Sequence, residues 1–440
     1  MRKTLTHRLP WRLAHPFGLL ALIAGGLPTL PISNSVATVY AAGGWSTPVS
    51  LSIPIPPTFY TASPAVGINS LGAQAAAWIN EDNYLLLQVA ARDAGGSWTS
   101  GQTLTPQSGD NAAEPAVAVS PSGTAVAIWD LYNVSQGGVV IQTASRPAHG
   151  SWSRVVTLSP AADSSSHPQI GMDANGNALA IWLQTTSTNG GIFAANLPAG
   201  SSWSTPVQIS TVNVSAQNPV LAVNASGDAV AGWQTANGII YVAERNSGVW
   251  SAPIIIAPAA FRQGSPHVAI DDRGDAAAAW SGRGTTLAAT RAAGGTWSVP
   301  TTLSKSSGGG TARVALDQFG NAVVVFDLVQ YVGGSGYAYP LQAVSHPAGG
   351  SWGTPVTISG ANETAATVNL VATPAGTFVA GWVNGASVKA AMRAVGHSTF
   401  GSPAVVGSGD SLELAVAAGK TAATWVGPGP SVQVSDNNVP

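Results

Sequence analysis

Three ionisable side chains stand at matching places along this 440-residue chain: Glu114, His167 and Asp410, each just before a short alternating apolar segment. Asp110 adds a carboxylate close upstream of Glu114. Two carboxyl groups roughly 5 to 10 Å apart would suit glycosidic bond cleavage, one giving a proton and the other acting as base or nucleophile. The candidate pair for that chemistry is Glu114 with Asp410, joined by Asp110. Carboxylates beside exposed aromatic rings suit a different task. Rings stack on the C–H faces of a sugar, and the carboxylates accept from its hydroxyls. Tyr337 and Tyr339 stand with Tyr331 among glycines in the stretch 327–340, and Glu81-Asp82-Asn83-Tyr84 is a second such group. Arg262 and Arg313 lie near the starts of apolar segments. Nothing in the sequence orients His167 as a general base. The candidate set is therefore read as ligand-binding: Glu114, His167, Asp410, Asp110, Arg262, Tyr337 and Tyr339, with no catalytic residue assigned.

No metal or other cofactor is expected. The chain has no cysteine, which excludes disulfides and thiolate ligation. His149, His267, His346 and His397 are scattered and lack metal-ligand spacing. Asp173-Ala-Asn-Gly-Asn177 and Asp271-Asp-Arg-Gly-Asp275 resemble calcium loops, but neither continues to a distal glutamate. Their periodic placement reads as turns.

The elements that must position these residues are announced by tryptophan. One series is Trp45, Trp98, Trp152, Trp203, Trp250, Trp297 and Trp352, with Phe400 in the eighth place. The other is Trp78, Trp129, Trp182, Trp233, Trp280, Phe326, Trp382 and Trp425. A period of about 50 residues belongs to propellers and related arrays. Each unit reads as four short strands. An inner strand often opens with proline, as in Pro115-Ala-Val-Ala-Val-Ser120. A turn follows, with Asn69, Ser120, Asp173, Asn224, Asp271, Asp317 or Thr373 first and a glycine fourth, the type I signature. Val416 is the exception. The second strand runs six residues from that glycine to its aromatic, which alternation places on one face with small residues such as Ala178 and Ala180. This predicts packing between blades. The outer strand carries proline in Pro48, Pro206, Pro253, Pro300, Pro355 and Pro403, which fits an edge.

These signals predict an all-β fold, a β-propeller of four-stranded blades. Eight blades close if the lone strand after Trp45 completes the last unit; seven is the alternative. The residues before the inner strands are Ser63, Glu114, His167, Asn218, Ser265, Thr311, Thr367 and Asp410, all polar. They are expected to ring one mouth of the central channel, a usual place for function on a rigid scaffold.

Charged residues make up only 8% of the chain, against about 25% in ordinary domains. With four lysines and no basic patch, it offers no footprint for nucleic acid. Residues 1–41 read as a secretory signal peptide. Arg2, Lys3, Arg8 and Arg12 precede an apolar stretch from Phe17 to Ala24, and Val39-Tyr40-Ala41 offers a cleavage site. Pro28 and Pro31 break the apolar run short of the about 20 residues a membrane span requires. Cleavage leaves 13 basic and 19 acidic residues, a net charge near −6. Residues 42–440 are expected to form one propeller domain, secreted, monomeric, and without a membrane span after processing.

The turn before the outer-strand tryptophan resembles the Asp-box (BNR) repeat of sialidase-like propellers. The carrying copies are Ala91-Arg-Asp93-Ala-Gly95-Gly-Ser-Trp98, Thr290-Arg-Ala-Ala-Gly294-Gly-Thr296-Trp297 and Ser345-His-Pro347-Ala-Gly349-Gly-Ser-Trp352. The resemblance implies a propeller in which this box is a structural turn away from the active site. It carries no catalytic residues over, because three carboxylate-gripping arginines are needed and only Arg262 and Arg313 are placed for it. The leading expectation is thus a non-enzymatic propeller binding a carbohydrate or protein partner through one face. A sialidase-like glycoside hydrolase and a structural cell-surface protein are the alternatives.

Overall fold

The computed structural model describes residues 44–52, 61–82, 84–105, 109–134, 137–185, 190–211, 215–258, 263–282, 284–304, 308–333, 336–428 and 431–438. The expected signal segment, Asn83 and Arg262 lie outside the described residues. Among the described residues, no helix is long and apolar enough to cross a membrane.

The described residues form eight antiparallel blades. Their inner strands are Thr61–Ile68, Asn111–Val119, Ser164–Met172, Ala216–Val223, His267–Ile270, Gly308–Leu316, Ala365–Ala372 and Asp410–Ala417, which number the blades 1 to 8. Each inner strand pairs with the aromatic-bearing second strand, the second with the third, and the third with a short outer segment. Most outer segments pair over two residues, as at Val49–Ser50 and Val207–Gln208, beginning after the proline where there is one; the blade 7 segment Ala404–Ser408 pairs further. Proline has no N–H to give to the ladder, so pairing waits for the next residue. Blade 4 carries an extra pairing, Val249–Trp250, ahead of its regular outer segment Ile254–Ala257.

The second-strand aromatics form the joints. Trp129 packs on Ala77, Ile79 and Leu87 of blade 1; Trp233 packs on Ile181 and Ile192 of blade 3; Trp382 packs on Val323 and Val325 of blade 6. Trp78 of blade 1 packs on Val432 and Val434, so the last joint is made across the chain ends. All eight rings are nearly fully buried. The alanines beside them leave room for the neighbouring blade, as alternation required.

The seven-bladed alternative falls here. Val49 and Ser50 pair with Val434 and Gln433 of the strand Ser431–Asn438, completing blade 8. Ser46 N–H donates to Asp436 O at 2.7 Å and Leu51 N–H to Val432 O at 2.8 Å. Asp436 also accepts from Gln74 of blade 1 at 2.6 Å and pairs with Arg92.

The first-to-second-strand turns use side-chain caps. Asp317 Oδ1 accepts from Phe319 and Asn321 N–H, both at 2.9 Å, and Asn224 and Asp173 repeat the pattern. These are turn caps, as expected from the periodicity. The fourth-place glycines hold φ between 68° and 100°, a region that side-chain-bearing residues avoid.

Candidate functional site

The site is built from a bulge that recurs in the inner strands. In blades 1, 2, 3, 4, 7 and 8 the register slips once, and the bulged residue has positive φ: Ser63, Glu114, His167, Asn218, Thr367 and Ser411, at 47° to 55°. A bulge re-aims one side chain, and a non-glycine residue held at positive φ is costly. Recurrence in six blades makes the geometry a property of the scaffold. The residues placed there differ, and that difference carries the chemistry.

Asp410 needs a correction. The bulged residue of blade 8 is Ser411; Asp410 lies one place earlier and pairs with Val426. The cause is a shorter turn. Val416 pairs with Thr421, whereas Ile68 of blade 1 pairs with Gln74, so counting back from the aromatic misses by one residue. Blade 1 also stands between the inner strands that carry Asp410 and Glu114.

Glu114 and His167 do meet, across blades 2 and 3. Glu114 Oε2 accepts from His167 N–H at 2.9 Å, and Oε1 lies 3.5 Å from Nε2. His167 Nδ1 is 2.9 Å from Ser166 Oγ. The two side chains are 44% and 38% exposed, so their attraction adds only about 0 to 1 kcal/mol to stability and leaves them accessible to a ligand.

Asp130 is the residue that sequence reasoning missed. It follows Trp129 on the second strand of blade 2, opposite Ala113. Burial, then repulsion from Glu114, push its carboxyl up to about 7, against the pull of the Ala113 N–H. It therefore holds its proton near neutrality while Glu114 is the more open carboxyl. Asp110 is buried and accepts from Val134 N–H at 3.0 Å, fixing the loop beyond Asp130. Tyr132 and Tyr84 are exposed on the second-to-third-strand connections of blades 2 and 1. Asp130 could have been found as the one acidic residue of blades 1 to 5 directly after a second-strand aromatic.

Tyr337 lies elsewhere. It pairs with Tyr331 in a two-stranded ribbon on blade 6, ring edge to ring face at 5.5 Å. Blade 6 is opposite blade 2 in the ring. Tyr339 bonds through its backbone to Glu363 O and Ala365 N–H of the blade 7 side, at 3.0 Å each. The structure thus unites Glu114, His167 and Asp110 on blades 2 and 3 and separates them from Asp410, Tyr337 and Tyr339.

A second polar group lies within the ring, on the inner strands of blades 5 to 8. His267, Arg313, Asn369 and Glu413 hold equivalent register positions. His267 Nδ1 accepts from Val314 N–H at 3.3 Å, and burial, then Arg313, lower its pKa to about 3. Asn369 Nδ2 donates to Glu413 Oε2 at 3.1 Å. Burial raises the Glu413 carboxyl and lowers Arg313, while the attraction between them opposes both shifts. In blades 1 to 7 this position lies thirteen residues before the aromatic, as Gln169 lies before Trp182. That offset was the available signal. Two contacts cross between blades, His267 with Val314 N–H and Asn369 with Glu413, so this group reads as an internal network.

No protein-family model matches the chain, and no curated protein does. Solved structures match its fold. A lectin from Burkholderia pseudomallei is 14% identical, covering 79% of this chain and 99% of its own, with a TM-score of 0.54. An ulvan lyase, described as a new polysaccharide lyase family, is 9% identical, covering 88% and 94%, with a TM-score of 0.51. At such identities the likeness establishes the fold: this chain is an eight-bladed β-propeller.

Proposed function

We propose that this chain is a secreted propeller that binds carbohydrate, without chemistry, at the mouth over blades 1 to 3. The observation that carries the reading is the half-exposed Glu114–His167 contact, with exposed Tyr132 on blade 2 and Tyr84 on blade 1. Acceptors, a donor and aromatic faces are what a sugar's hydroxyls and C–H surfaces require. Two proteins of the same fold, a lectin and a polysaccharide lyase, are carbohydrate proteins by description. The outer turns are read as degenerate Asp-boxes, and the one box with its aspartate, at Asp93, clamps Arg146 of the next blade. Secretion rests on the basic, apolar and small-residue sequence of 1–41. N-terminal sequencing of exported protein should begin at Ala42.

The test is a glycan array probed with the mature chain and with Glu114→Ala. Binding to a defined glycan class, weakened at least tenfold in the variant, supports the reading. Wild-type and variant binding alike would move the site elsewhere, and silence toward all glycans would defeat it.

Asp130 favours one second reading, glycoside cleavage. A protonated Asp130 would donate a proton to a leaving oxygen, with Glu114 as the second carboxyl of the pair. Release of reducing ends from polysaccharides, lost in both Asp130→Asn and Glu114→Gln, would replace the binding-only reading.

A further inference from the structure

We infer that the face opposite the mouth carries three equivalent clefts, each of which binds one saccharide unit. They lie at the junctions of blades 8 and 1, 3 and 4, and 6 and 7. Their volumes are about 410, 350 and 350 Å³, toward the lower end of the roughly 300–1,000 Å³ of small-ligand sites. All three are lined by first-to-second-strand turns and by ends of third strands. The bulges at the mouth lie at the other end of the inner strands, about 20 Å away at roughly 3.3 Å per residue. This inference is therefore independent of the proposed mouth site.

The lining is the same in kind at each junction. The following blade supplies an arginine from the end of its third strand, Arg92, Arg245 or Arg393, and a turn glycine, Gly72, Gly227 or Gly376. Each guanidinium is fixed by a protein partner. Arg245 Nη1 donates to Gly227 O at 2.5 Å, Arg393 Nη1 donates to Ser345 Oγ at 2.6 Å, and Arg92 pairs with Asp436. A guanidinium has five N–H donors in a fixed fork, so these bonds occupy only part of it. Arg146 and Arg291 hold the equivalent strand position in blades 2 and 5, where, as with Arg92 and Asp436, a carboxylate of the preceding blade, Asp93 or Glu244, pairs with the guanidinium.

The rest of the lining selects the ligand class. Each cleft includes amides and hydroxyls: Asn438 and Ser46 at the first junction, which also holds Lys420, Asn175 and Ser247 at the second, Asn321 and Ser398 at the third. Each cleft also has an apolar wall, from Leu71, Pro198 or Phe319. Arginine is offset by Asp436, Asp173 or Asp317, which disfavours a bare anion. A fixed donor fork, many neutral polar groups and one apolar wall fit a pyranose or furanose ring. The three junctions are spread around the ring, so a surface bearing repeated sugars would be held at several points at once, and weak single sites would add to strong attachment.

The test uses the mature chain and ligand-observed NMR with seven monosaccharides: glucose, galactose, mannose, fucose, xylose, arabinose and N-acetylglucosamine. Ser226→Trp, Ser398→Trp and Leu71→Trp fill one cleft each at exposed turn positions. The saturation-transfer signal of a bound monosaccharide is expected to fall by about a third per blocked cleft, as equal independent sites require, and to vanish in the triple variant. Arg245→Met and Arg393→Met should act like the corresponding blocks. The whole series is run in the Glu114→Ala background, so that binding at the mouth does not contribute to the signal. Full signal in the triple variant, or no signal from any of the seven sugars, overturns the proposal.

Discussion

Asp130 and His267 are buried titratable groups whose environments push stability in opposite directions as pH changes. The Asp130 carboxyl has an ordinary value of 3.8 and sits at about 7 in the fold. The folded chain thus binds this proton more tightly than the unfolded chain. Its contribution is fully present below pH 3.8 and is lost as pH rises through 7. The interval corresponds to at most about 4 kcal/mol at roughly 1.4 kcal/mol per pH unit. Asp130→Asn keeps an acceptor for Ala113 and removes the titration. Urea unfolding should show the variant more stable than wild type at pH 8 and little changed at pH 4; equal curves at both would refute a raised pKa. His267 falls from 6.5 to about 3, so it destabilises the fold as pH drops through that window. His267→Asn retains an acceptor for Val314 N–H and should flatten the acid limb between pH 6 and 4. The sequence showed Glu114 and His167 because both precede proline at a repeated place. It marked the shared strand position of Arg313 and Glu413 only as an offset from the aromatic and did not show that the two face each other, because the partners are contributed by separate repeats.

At the scale of the element, the turn between first and second strands is the most legible piece and the most exposed to a single change. Asp317 is buried and caps the N–H groups of Phe319 and Asn321, with Asn321 Nδ2 bonding its other oxygen at 2.8 Å. Asp317→Ala leaves those donors to compete for water near the protein interior. An unmet buried donor costs about 1–3 kcal/mol. A loss of roughly 2 kcal/mol or more is expected in chemical denaturation, whereas Asp317→Asn, which keeps Oδ1, should lose under about 1 kcal/mol. Similar losses in both variants would mean that charge, not capping, matters at this turn. Blade 8 shows the limit of reading such turns by pattern. Val416 cannot cap, and the chain there uses a shorter hairpin in which Ala417 pairs with Lys420. One deleted residue preserves strand and aromatic yet shifts every count made across it. This is why the turn glycine was found correctly at Gly419 while Asp410 was placed one position from the bulge. The outer strands, read from their prolines as edges, pair over two residues in most blades.

For the whole molecule the decisive interaction is the joint between the chain's ends. A propeller distributes stability over nearest neighbours, so each blade depends on the two beside it. Blade 8 obtains its fourth strand from residues 330 or more positions away in sequence, a closure with high entropic cost until the core around it forms. Trp45 supplies that core on one side, packed with Val388, Val406 and Trp425, and Leu51 does so on the other, with Trp78 and Val432. Trp45 is 5% exposed, whereas its counterpart Trp203 is only half-buried against blade 3. The two tryptophans share a motif, Trp-Ser-Thr-Pro-Val, so local sequence effects cancel between them. If closure by the N-terminal strand holds the ring, Trp45→Ala should cost about 3–5 kcal/mol, the range for a large aromatic lost from a core, and Trp203→Ala clearly less. Hydrogen exchange gives the spatial signature. Amides of Lys420–Gly427 and Ser431–Asn438 should lose protection in Trp45→Ala, together with the facing strand of blade 1, while blades 3 to 5 stay protected. Uniform loss across all blades would show that the ring unfolds as one unit, and undiminished protection at the joint would show that blade 8 stands without its borrowed strand.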